Sequence, residues 1–237
     1  MAEKEGESLS VIATGQPDLD KKLGGGIPLG SLTLLEGQSD SGKSVMSQQL
    51  IWGSLQGGLT AMLFTSENTT KSFMRQMTSL NLDIMAFLLL GRLRIYPITM
   101  GKSGLTPGQV FKLIAKTIKD GSRVDLVVID SLTTFVTRSA WEETVAFFES
   151  CQELVAESRT IVIVASTYAF DDTTLARLRS MCDAHFTLRT EEVGDQIVKI
   201  LEVAKVRGAS KSTGNIITFD VEPGLGIKII PISKASA

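Results

Sequence analysis

Histidine and cysteine are scarce in this sequence, and each scarcity excludes a class of site. His185 is the only histidine, so His-rich metal sites and catalytic triads that need a second histidine are excluded. We therefore expect His185 to be a packed core residue rather than a catalyst. The two cysteines, Cys151 and Cys182, are too few for a disulfide framework and favour a reducing compartment.

Long apolar runs and a large excess of charge are also missing. No apolar run approaches the ~20 residues that span a bilayer, and the charged residues 1–8 lack the apolar core of a signal peptide. The net charge of −2 gives no overall basic field for nucleic acid. We expect a cytoplasmic protein that meets a membrane only through partners. We expect no nucleic-acid partner unless a local basic groove forms.

The length and the order of the predicted elements indicate one α/β domain. The 237 residues are 43% hydrophobic and 21% charged, which is ordinary for a soluble globular protein. We expect residues 1–10 to form a flexible tail and residues 11–237 to form a single domain. Buried strands are predicted at 31–36, 59–65, 93–98, 124–130 and 160–166. Shorter strands are predicted at 184–190, 196–206, 215–221 and 226–230.

Helices are predicted between the buried strands. Thr106 followed by Pro107 begins one of them, and a capping box at 139–142 begins another. The apolar stretch 83–90 is either a short helix or a partner-facing patch. This order predicts a three-layer α/β fold with a mostly parallel central sheet, an antiparallel C-terminal extension and a ligand at the carboxyl ends of the strands.

The segment Gly37–Ser44 matches the phosphate-binding loop pattern G-x-x-x-x-G-K-[ST]. A predicted strand precedes it and a predicted helix follows it, so several backbone N–H groups would converge on one point. The alternative is a glycine- and serine-rich turn that matches by chance. The residues expected to surround the phosphates are Gly37, Gln38, Ser39, Asp40, Ser41, Gly42, Lys43 and Ser44.

Individual residues of this loop have separate expected roles. Lys43 should reach the β- and γ-phosphates, and the Ser44 hydroxyl should ligate Mg²⁺. Asp40 is unusual, because a carboxylate beside a triphosphate is repelled. We expect Asp40 to point to solvent, although it could weaken nucleotide affinity.

Two carboxylates follow strands that should end near the loop. Asp130 ends a near-continuous apolar strand and would hold Mg²⁺, usually through water, opposite Ser44. The alternative is an acid that merely begins a loop. Glu67 could orient or deprotonate a water that attacks the γ-phosphoryl group, or it could simply favour a helix N-terminus. Thr167, at another strand tip, could sense the γ-phosphate or cap a turn.

Lys205 and Arg207 share one face of a late predicted strand. Two cations on one face could meet phosphate in their own site or in a neighbour's. A solvated strand edge is the more common explanation for such a pair.

These residues resemble the RecA superfamily, specifically its KaiC-like branch. The segments that carry the resemblance are 24–28 (GGGIP), 37–44, 129–131 (IDS) and 205–208 (KVRG). Within that branch, the segments 64–73 (FTSENTTKSF) and 92–97 (RLRIYP) resemble FlaH (ArlH) proteins, the archaellum accessory ATPases. The similarity extends from about residue 10 to 232.

The resemblance implies a RecA-like P-loop core, ATP with Mg²⁺, and a homo-oligomeric ring, with a hexamer favoured. KaiC domains carry two adjacent carboxylates where this chain has Glu67 and Asn68, which implies slow or absent hydrolysis. In KaiC-like rings the K-x-R pair reaches the neighbouring subunit's phosphates, and this assigns that role to Lys205 and Arg207. The FlaH resemblance implies action in the archaellum motor with the motor ATPase FlaI and the membrane protein FlaJ.

Three functions are compatible with this sequence. The first is an ATP-binding regulator of the archaellum motor, and the second is an active KaiC-like ATPase or autokinase in signalling. The third is a RecA-type DNA-handling protein, which needs basic loops. The candidate loops hold Arg177, Arg179, Lys211 and little else, so the third function is the least favoured.

Overall fold

A computed structural model describes residues 11–99, 104–194, 196–207 and 215–230. The predicted tail at residues 1–10 lies outside these ranges, as do Gly208 and Lys211. Within them, the strands form a nine-stranded sheet and a two-stranded sheet, the latter from β1 (Val11–Ile12) and β2 (Ile27–Pro28).

The large sheet is mostly parallel. Its strands are β3 (Leu32–Gly37), β4 (Ala61–Thr65), β5 (Leu93–Pro97), β6 (Leu126–Asp130), β7 (Thr160–Ser166), β8 (Ala184–Val193), β9 (Gln196–Val206), β10 (Ile216–Glu222) and β11 (Gly226–Ile229). They lie in the order β11-β10-β9-β8-β3-β7-β6-β4-β5. The strands from β8 to β5 pair in parallel, whereas β9, β10 and β11 continue from β8 as an antiparallel meander. This arrangement confirms the predicted mixed sheet.

Helices cover both faces of the sheet. They are α1 (Pro17–Lys22), α2 (Lys43–Gln56), α3 (Thr70–Ser79), α4 (Met85–Leu89), α5 (Pro107–Asp120), α6 (Thr133–Val136), α7 (Trp141–Ala156) and α8 (Asp172–Met181). None of the helices in the described ranges is long and apolar enough to cross a membrane.

Two hydrophobic cores lie on opposite faces of the sheet. Leu35 packs in one core with residues of α2 and α3, and its neighbour Leu34 packs in the other with residues of α5, α7 and α8. Consecutive side chains of a strand point to opposite faces, so a strand buried on both faces is continuously apolar. The three-layer α/β prediction is confirmed.

One of the two predicted helix starts is accurate. Thr106 Oγ1 accepts a hydrogen bond from the Gln109 N–H, and the Gln109 side chain accepts one from the Thr106 N–H, as a capping box requires. The capping box predicted at 139–142 is wrong by one residue. The N-cap is Ala140, because its backbone is the last extended one before the helix, and Ser139 Oγ instead lies 3.0 Å from Thr144 Oγ1.

The apolar stretch 83–90 forms the short helix α4 and exposes leucines. Leu89 is 80% exposed and Leu90 is 72% exposed. The short helix is therefore confirmed, and the role of this stretch as a partner-facing patch stays a prediction.

Candidate functional site

A cavity of about 420 Å³ lies at the carboxyl edge of the parallel strands, beside the segment Gly37–Ser44. We call it the P-loop cavity. The residues that line it are Ser39, Asp40, Gly42, Lys43, Ser44, Val45, Glu67, Asp130, Ser131, Ser166, Tyr168, Lys199 and Val221. Thr167 is not among them, although its two neighbours Ser166 and Tyr168 are.

The loop itself is shaped by two glycines. A Cβ atom at Gly37 would lie 2.0 Å from the Leu188 carbonyl oxygen, so the close approach of β3 and β8 permits no side chain there. Gly42 has a φ of 93° and is the N-cap of α2, a helix with no side-chain cap on its first turn. The free N–H groups and the helix dipole therefore favour an anion at this point.

Lys43 is held by the carbonyl groups of its own loop. Its Nζ donates hydrogen bonds to the Gly37 oxygen at 3.1 Å and to the Gln38 oxygen at 2.5 Å. Burial lowers the pKa of Lys43, while the charges of Asp130, Glu67 and Asp40 act in the opposite direction. The ammonium is thus already placed where the loop would surround a phosphate. Asp40 is exposed, with a left-handed φ of 58°, and it also lines the P-loop cavity.

Asp130 lies opposite the first two turns of α2. Its Oδ1 is 3.3 Å from Ser44 Oγ, and its Oδ2 accepts a hydrogen bond of 2.8 Å from Ser47 Oγ. Burial raises the pKa of Asp130 to about 6, and the charge of Glu67 adds to this effect. The hydrogen bonds from Ser47 and Ser44 and the charge of Lys43 lower the pKa and only partly offset the burial.

The oxygen donors at this place suit Mg²⁺. Ser44 supplies a hydroxyl and Asp130 a carboxylate, and both line the cavity in which a phosphate would lie. No group of three or more histidine, cysteine, aspartate or glutamate side chains in the described ranges could hold a metal alone. Mg²⁺ commonly binds one or two protein oxygens and completes its shell with water and substrate phosphate. The residues present therefore fit this ion.

Glu67 faces the same cavity from the end of β4. Thr65 pairs with Asp130 across β4 and β6, so Glu67 emerges beside that carboxylate. The N-cap of α3 is Thr69, which places Glu67 ahead of the helix and outside its first turn. Glu67 is therefore not a first-turn residue of α3, which was one of the two roles considered for it.

Lys205 and Arg207 lie at the opposite edge of the sheet. Lys205 pairs with His185 near the start of β8, and the Arg207 N–H donates to the Asp183 carbonyl. Leu188, which pairs with Gly37, is five residues beyond Asp183, a distance of about 17 Å along a strand. The structure does not bring Arg207 to the phosphate loop of its own chain.

The two cations also differ in their contacts. Lys205 Nζ donates to the Cys182 carbonyl at 2.6 Å and contacts the Arg179 carbonyl at 3.4 Å, both at the C-terminal end of α8. Arg207 is 61% exposed, with its Nη1 3.7 Å from Asp183 Oδ1. Of the two cations, Arg207 is the one whose side chain is mostly exposed to solvent.

Comparison with known proteins identifies the family. The family model described as "ATPase: KaiC" matches residues 12–234. The chain is 31% identical to the archaeal flagellar ATP-binding protein FlaH of Sulfolobus acidocaldarius, over 96% of this chain and 100% of that protein. It belongs to the FlaH proteins of the KaiC family.

Other FlaH proteins and a solved structure agree with this assignment. FlaH of Methanocaldococcus jannaschii is 31% identical over 93% of this chain and 95% of its own length. The crystal structure of the flagellar accessory protein FlaH from that organism superposes with a TM-score of 0.84 at 26% identity, covering 94% of this chain and 100% of that one. A KaiC-like protein from Pyrococcus horikoshii, at 19% identity and a TM-score of 0.76, shares the fold.

The structure adds cavity residues of this FlaH protein that its sequence did not reveal. Lys199 lies over the loop, with its Cδ 3.3 Å from where a Cβ of Gly42 would be and its Nζ 3.5 Å from Asp220 Oδ1. Lys199 belongs to no sequence motif. It reaches the loop only because β9 returns antiparallel to β8. The contact of Ser47 with Asp130 could have been predicted, because Ser47 lies one helical turn after Ser44 and shares its face of α2.

A buried ionic cluster supports the base of the phosphate loop. Glu36 precedes Gly37, and its Oε1 lies 2.6 Å from His185 Nε2 and accepts a 2.7 Å hydrogen bond from Arg179 Nε. Burial would raise the pKa of Glu36, but the hydrogen bonds and charges of His185 and Arg179 outweigh it and hold the pKa below its usual value. His185 is a packed core residue, as expected, while Glu36 was not anticipated.

Proposed function

We propose that this protein binds ATP with Mg²⁺ and acts as a regulatory component of the archaellum motor, with slow or absent hydrolysis and nucleotide-dependent ring assembly. The observation that carries the proposal is the convergence of Lys43, Ser44 and Asp130 on one cavity at the uncapped N-terminus of α2. Support for the biological setting comes from FlaH relatives that are named archaeal flagellar ATP-binding proteins.

The residues of the P-loop cavity each have a role in binding. The triphosphate lies on the N–H groups of the loop, and Lys43 exchanges its two loop carbonyls for the β- and γ-phosphates. Ser44 and Asp130 would hold Mg²⁺, which would neutralise phosphate charge. Tyr168 and Lys199 also line the cavity.

Hydrolysis is slow because the turn after β4 offers one carboxylate, that of Glu67, where KaiC domains carry two. Glu67 faces the P-loop cavity, whereas the neighbouring Asn68 turns its side-chain oxygen towards α3, where Ser72 and Gln76 donate to it. An amide cannot accept a proton from water as a base does. The protein therefore holds bound ATP for a long time before hydrolysing it.

Nucleotide-dependent assembly depends on Arg207. Its exposed guanidinium lies on the edge opposite the P-loop cavity, which suits a head-to-tail ring in which it reaches the phosphates of the adjacent subunit. Lys205 contributes indirectly, since its ammonium is already bound to carbonyls at the end of α8. We propose a homo-hexamer of single-domain subunits that meets FlaI and FlaJ at the cytoplasmic face of the membrane.

Calorimetric titration with Mg·ATP tests the binding proposal. Lys43→Ala removes the charge opposite the β- and γ-phosphates and should weaken binding at least tenfold, a loss of about 1.4 kcal/mol. Lys228→Ala is the matched control, because Lys228 is an exposed lysine bonded to Glu222 on the C-terminal hairpin. Equal ATP affinity of wild type and Lys43→Ala rules the site out.

A faster KaiC-like ATPase or autokinase is the second candidate, favoured by the position of Glu67 in the cavity. The rate of ATP turnover distinguishes this faster ATPase from the slow regulator. DNA handling has less support, since Arg179 is bound to Glu36 and Arg177 stacks on Trp141 at 5.4 Å.

A further inference from the structure

Asn68 is the centre of a chain of side-chain hydrogen bonds that reaches the helix of the phosphate loop. Its Oδ1 accepts hydrogen bonds from Ser72 Oγ and from Gln76 Nε2, each at 3.0 Å. Gln76 Oε1 in turn accepts a 3.0 Å hydrogen bond from Gln48 Nε2. Gln48 is 2% exposed and lies on α2, one turn after Ser44. The turn after β4 is thereby tied to both α3 and α2.

Glu67 occupies the cavity side of the same turn. The backbone N–H groups of Glu67 and Asn68 donate to Thr65 Oγ1 at 3.3 and 3.1 Å, which fixes the turn at its start. The Glu67 side chain lines the P-loop cavity with Lys43 and Asp130. Glu67, which faces the cavity, and Asn68, which fastens the turn, are therefore adjacent in sequence but contact different neighbours.

We propose that Asn68 is a positioning residue, which holds the turn so that the Glu67 carboxylate stays beside the γ-phosphate end of the cavity. The inference rests on the proposed function, because it requires ATP in the P-loop cavity. The chain Asn68–Gln76–Gln48 ends on the helix that presents Ser44, so the phosphate loop and Glu67 are held as one unit. The amide makes these bonds without adding a second negative charge beside Glu67 and Asp130.

The step that this arrangement serves is the hydrolysis of bound ATP to ADP and inorganic phosphate. A water oxygen bonds to the γ-phosphorus while the bond from that phosphorus to the β–γ bridging oxygen breaks. The proton of the water passes to the Glu67 carboxylate. Misplacement of a reacting group by about 1 Å costs about a hundredfold in rate, so a loosened turn should slow this step without affecting ATP binding.

Single-turnover hydrolysis with the full chain tests the inference. Asn68→Ala and Gln76→Ala should each slow the conversion of bound ATP about tenfold or more, with ATP affinity within about twofold of wild type. Asn68→Asp, whose carboxylate can accept the same two hydrogen bonds, should keep the rate at or above wild type. Gln76 is exposed, so its variant remains informative if Asn68→Ala fails to fold.

Gln152→Ala is the matched control. Gln152 is an exposed glutamine on α7 that donates a 2.9 Å hydrogen bond to the Met181 carbonyl, away from the P-loop cavity. Its replacement should leave the hydrolysis rate unchanged. A slowing equal to that of Gln76→Ala would mean that general destabilisation explains both, and the inference would be wrong.

A double-variant comparison shows whether Asn68 acts through Glu67. Glu67→Gln should slow hydrolysis, and adding Asn68→Ala to it should slow it no further. The inference is wrong if Asn68→Ala slows hydrolysis by the same factor in wild type and in Glu67→Gln. It is also wrong if wild type binds ATP but hydrolyses none in a day. In either case the proposal of ATP binding is unaffected. Wild type that fails to bind ATP contradicts the proposed function as well.

Discussion

The Ser47 hydroxyl donates a hydrogen bond of 2.8 Å to Asp130 Oδ2, although the two residues are 83 positions apart. This bond joins the helix of the phosphate loop to the carboxyl end of β6. It gives a buried carboxylate a partner, yet burial still raises the pKa of Asp130 to about 6. Keeping Asp130 ionised in the folded protein therefore costs free energy, and this cost depends on pH.

Asp130→Asn should stabilise the metal-free protein at pH 8. The folded state binds the Asp130 proton more tightly than the unfolded state, so the ionised group destabilises the fold above the folded pKa. A shift from about 4 to about 6 corresponds to roughly 3 kcal/mol at most. The cost diminishes as the pH falls from 6 towards 4. Thermal unfolding in EDTA should show the variant above wild type at pH 8, with the gap narrowing at pH 5. An equal gap at both pH values would contradict this account.

Glu36→Gln should show the opposite pH dependence. The pKa of Glu36 is lowered by His185 and Arg179, so its stabilising effect is complete above the unfolded value near 4.3 and disappears as the pH falls through the folded pKa. At pH 7 we expect a loss of about 2 kcal/mol, moderated by the partial exposure of Arg179.

Denaturant unfolding of Glu36→Gln at pH 7 and at pH 4 measures this effect. Glu153→Gln, at an exposed position on α7, is the control and should change the free energy of unfolding by less than about 0.5 kcal/mol. If Glu36→Gln is as stable as the control at pH 7, the buried cluster is not a source of stability.

The fold was predictable because its signals are local. The alternation of apolar strands with capped helices predicted the three layers, and the Gly37–Ser44 pattern predicted the loop that lies beside the P-loop cavity. The capping box before α7 was misplaced because adjacent Ser139 and Ala140 offer similar starts and only the backbone decides. The apolar run ending in Asp130 marked a central strand for the same local reason.

The contacts that complete the site were not predictable, because they join distant parts of the chain. Lys199 reaches Gly42 only through the antiparallel return of β9, and Glu36 meets His185 across 149 positions. The same return carries Lys205 to the far edge, where it binds the Cys182 carbonyl. No spacing rule in the sequence reports such pairings.

Arg207→Ala should impair ATP-promoted assembly more than Lys205→Ala. Arg207 is exposed and can make a bidentate phosphate contact, whereas the Lys205 ammonium is bound within its own chain. Lys205→Ala should instead lower the free energy of unfolding by about 1 kcal/mol, through the lost bond to α8. Sedimentation with and without Mg·ATP, together with thermal unfolding, separates the two effects.

The control for this comparison is Lys228→Ala, which should assemble like wild type. ATP affinity of the isolated Arg207→Ala subunit should remain close to that of wild type, because Arg207 lies far from its own phosphate loop. If ATP leaves the mass of wild type unchanged at every protein concentration, Arg207 is a solvated residue at the strand edge.

The most direct test of the central claim is the fate of radiolabelled ATP bound by the wild-type protein with Mg²⁺. Protein-bound label is isolated at successive times and separated into ATP and ADP. We expect stoichiometric binding that depends on Lys43, with most of the label still in the triphosphate after several minutes. Absence of bound label, or conversion at the usual enzymatic rate of about 1–10³ s⁻¹, would contradict the account of a slow ATP-binding regulator.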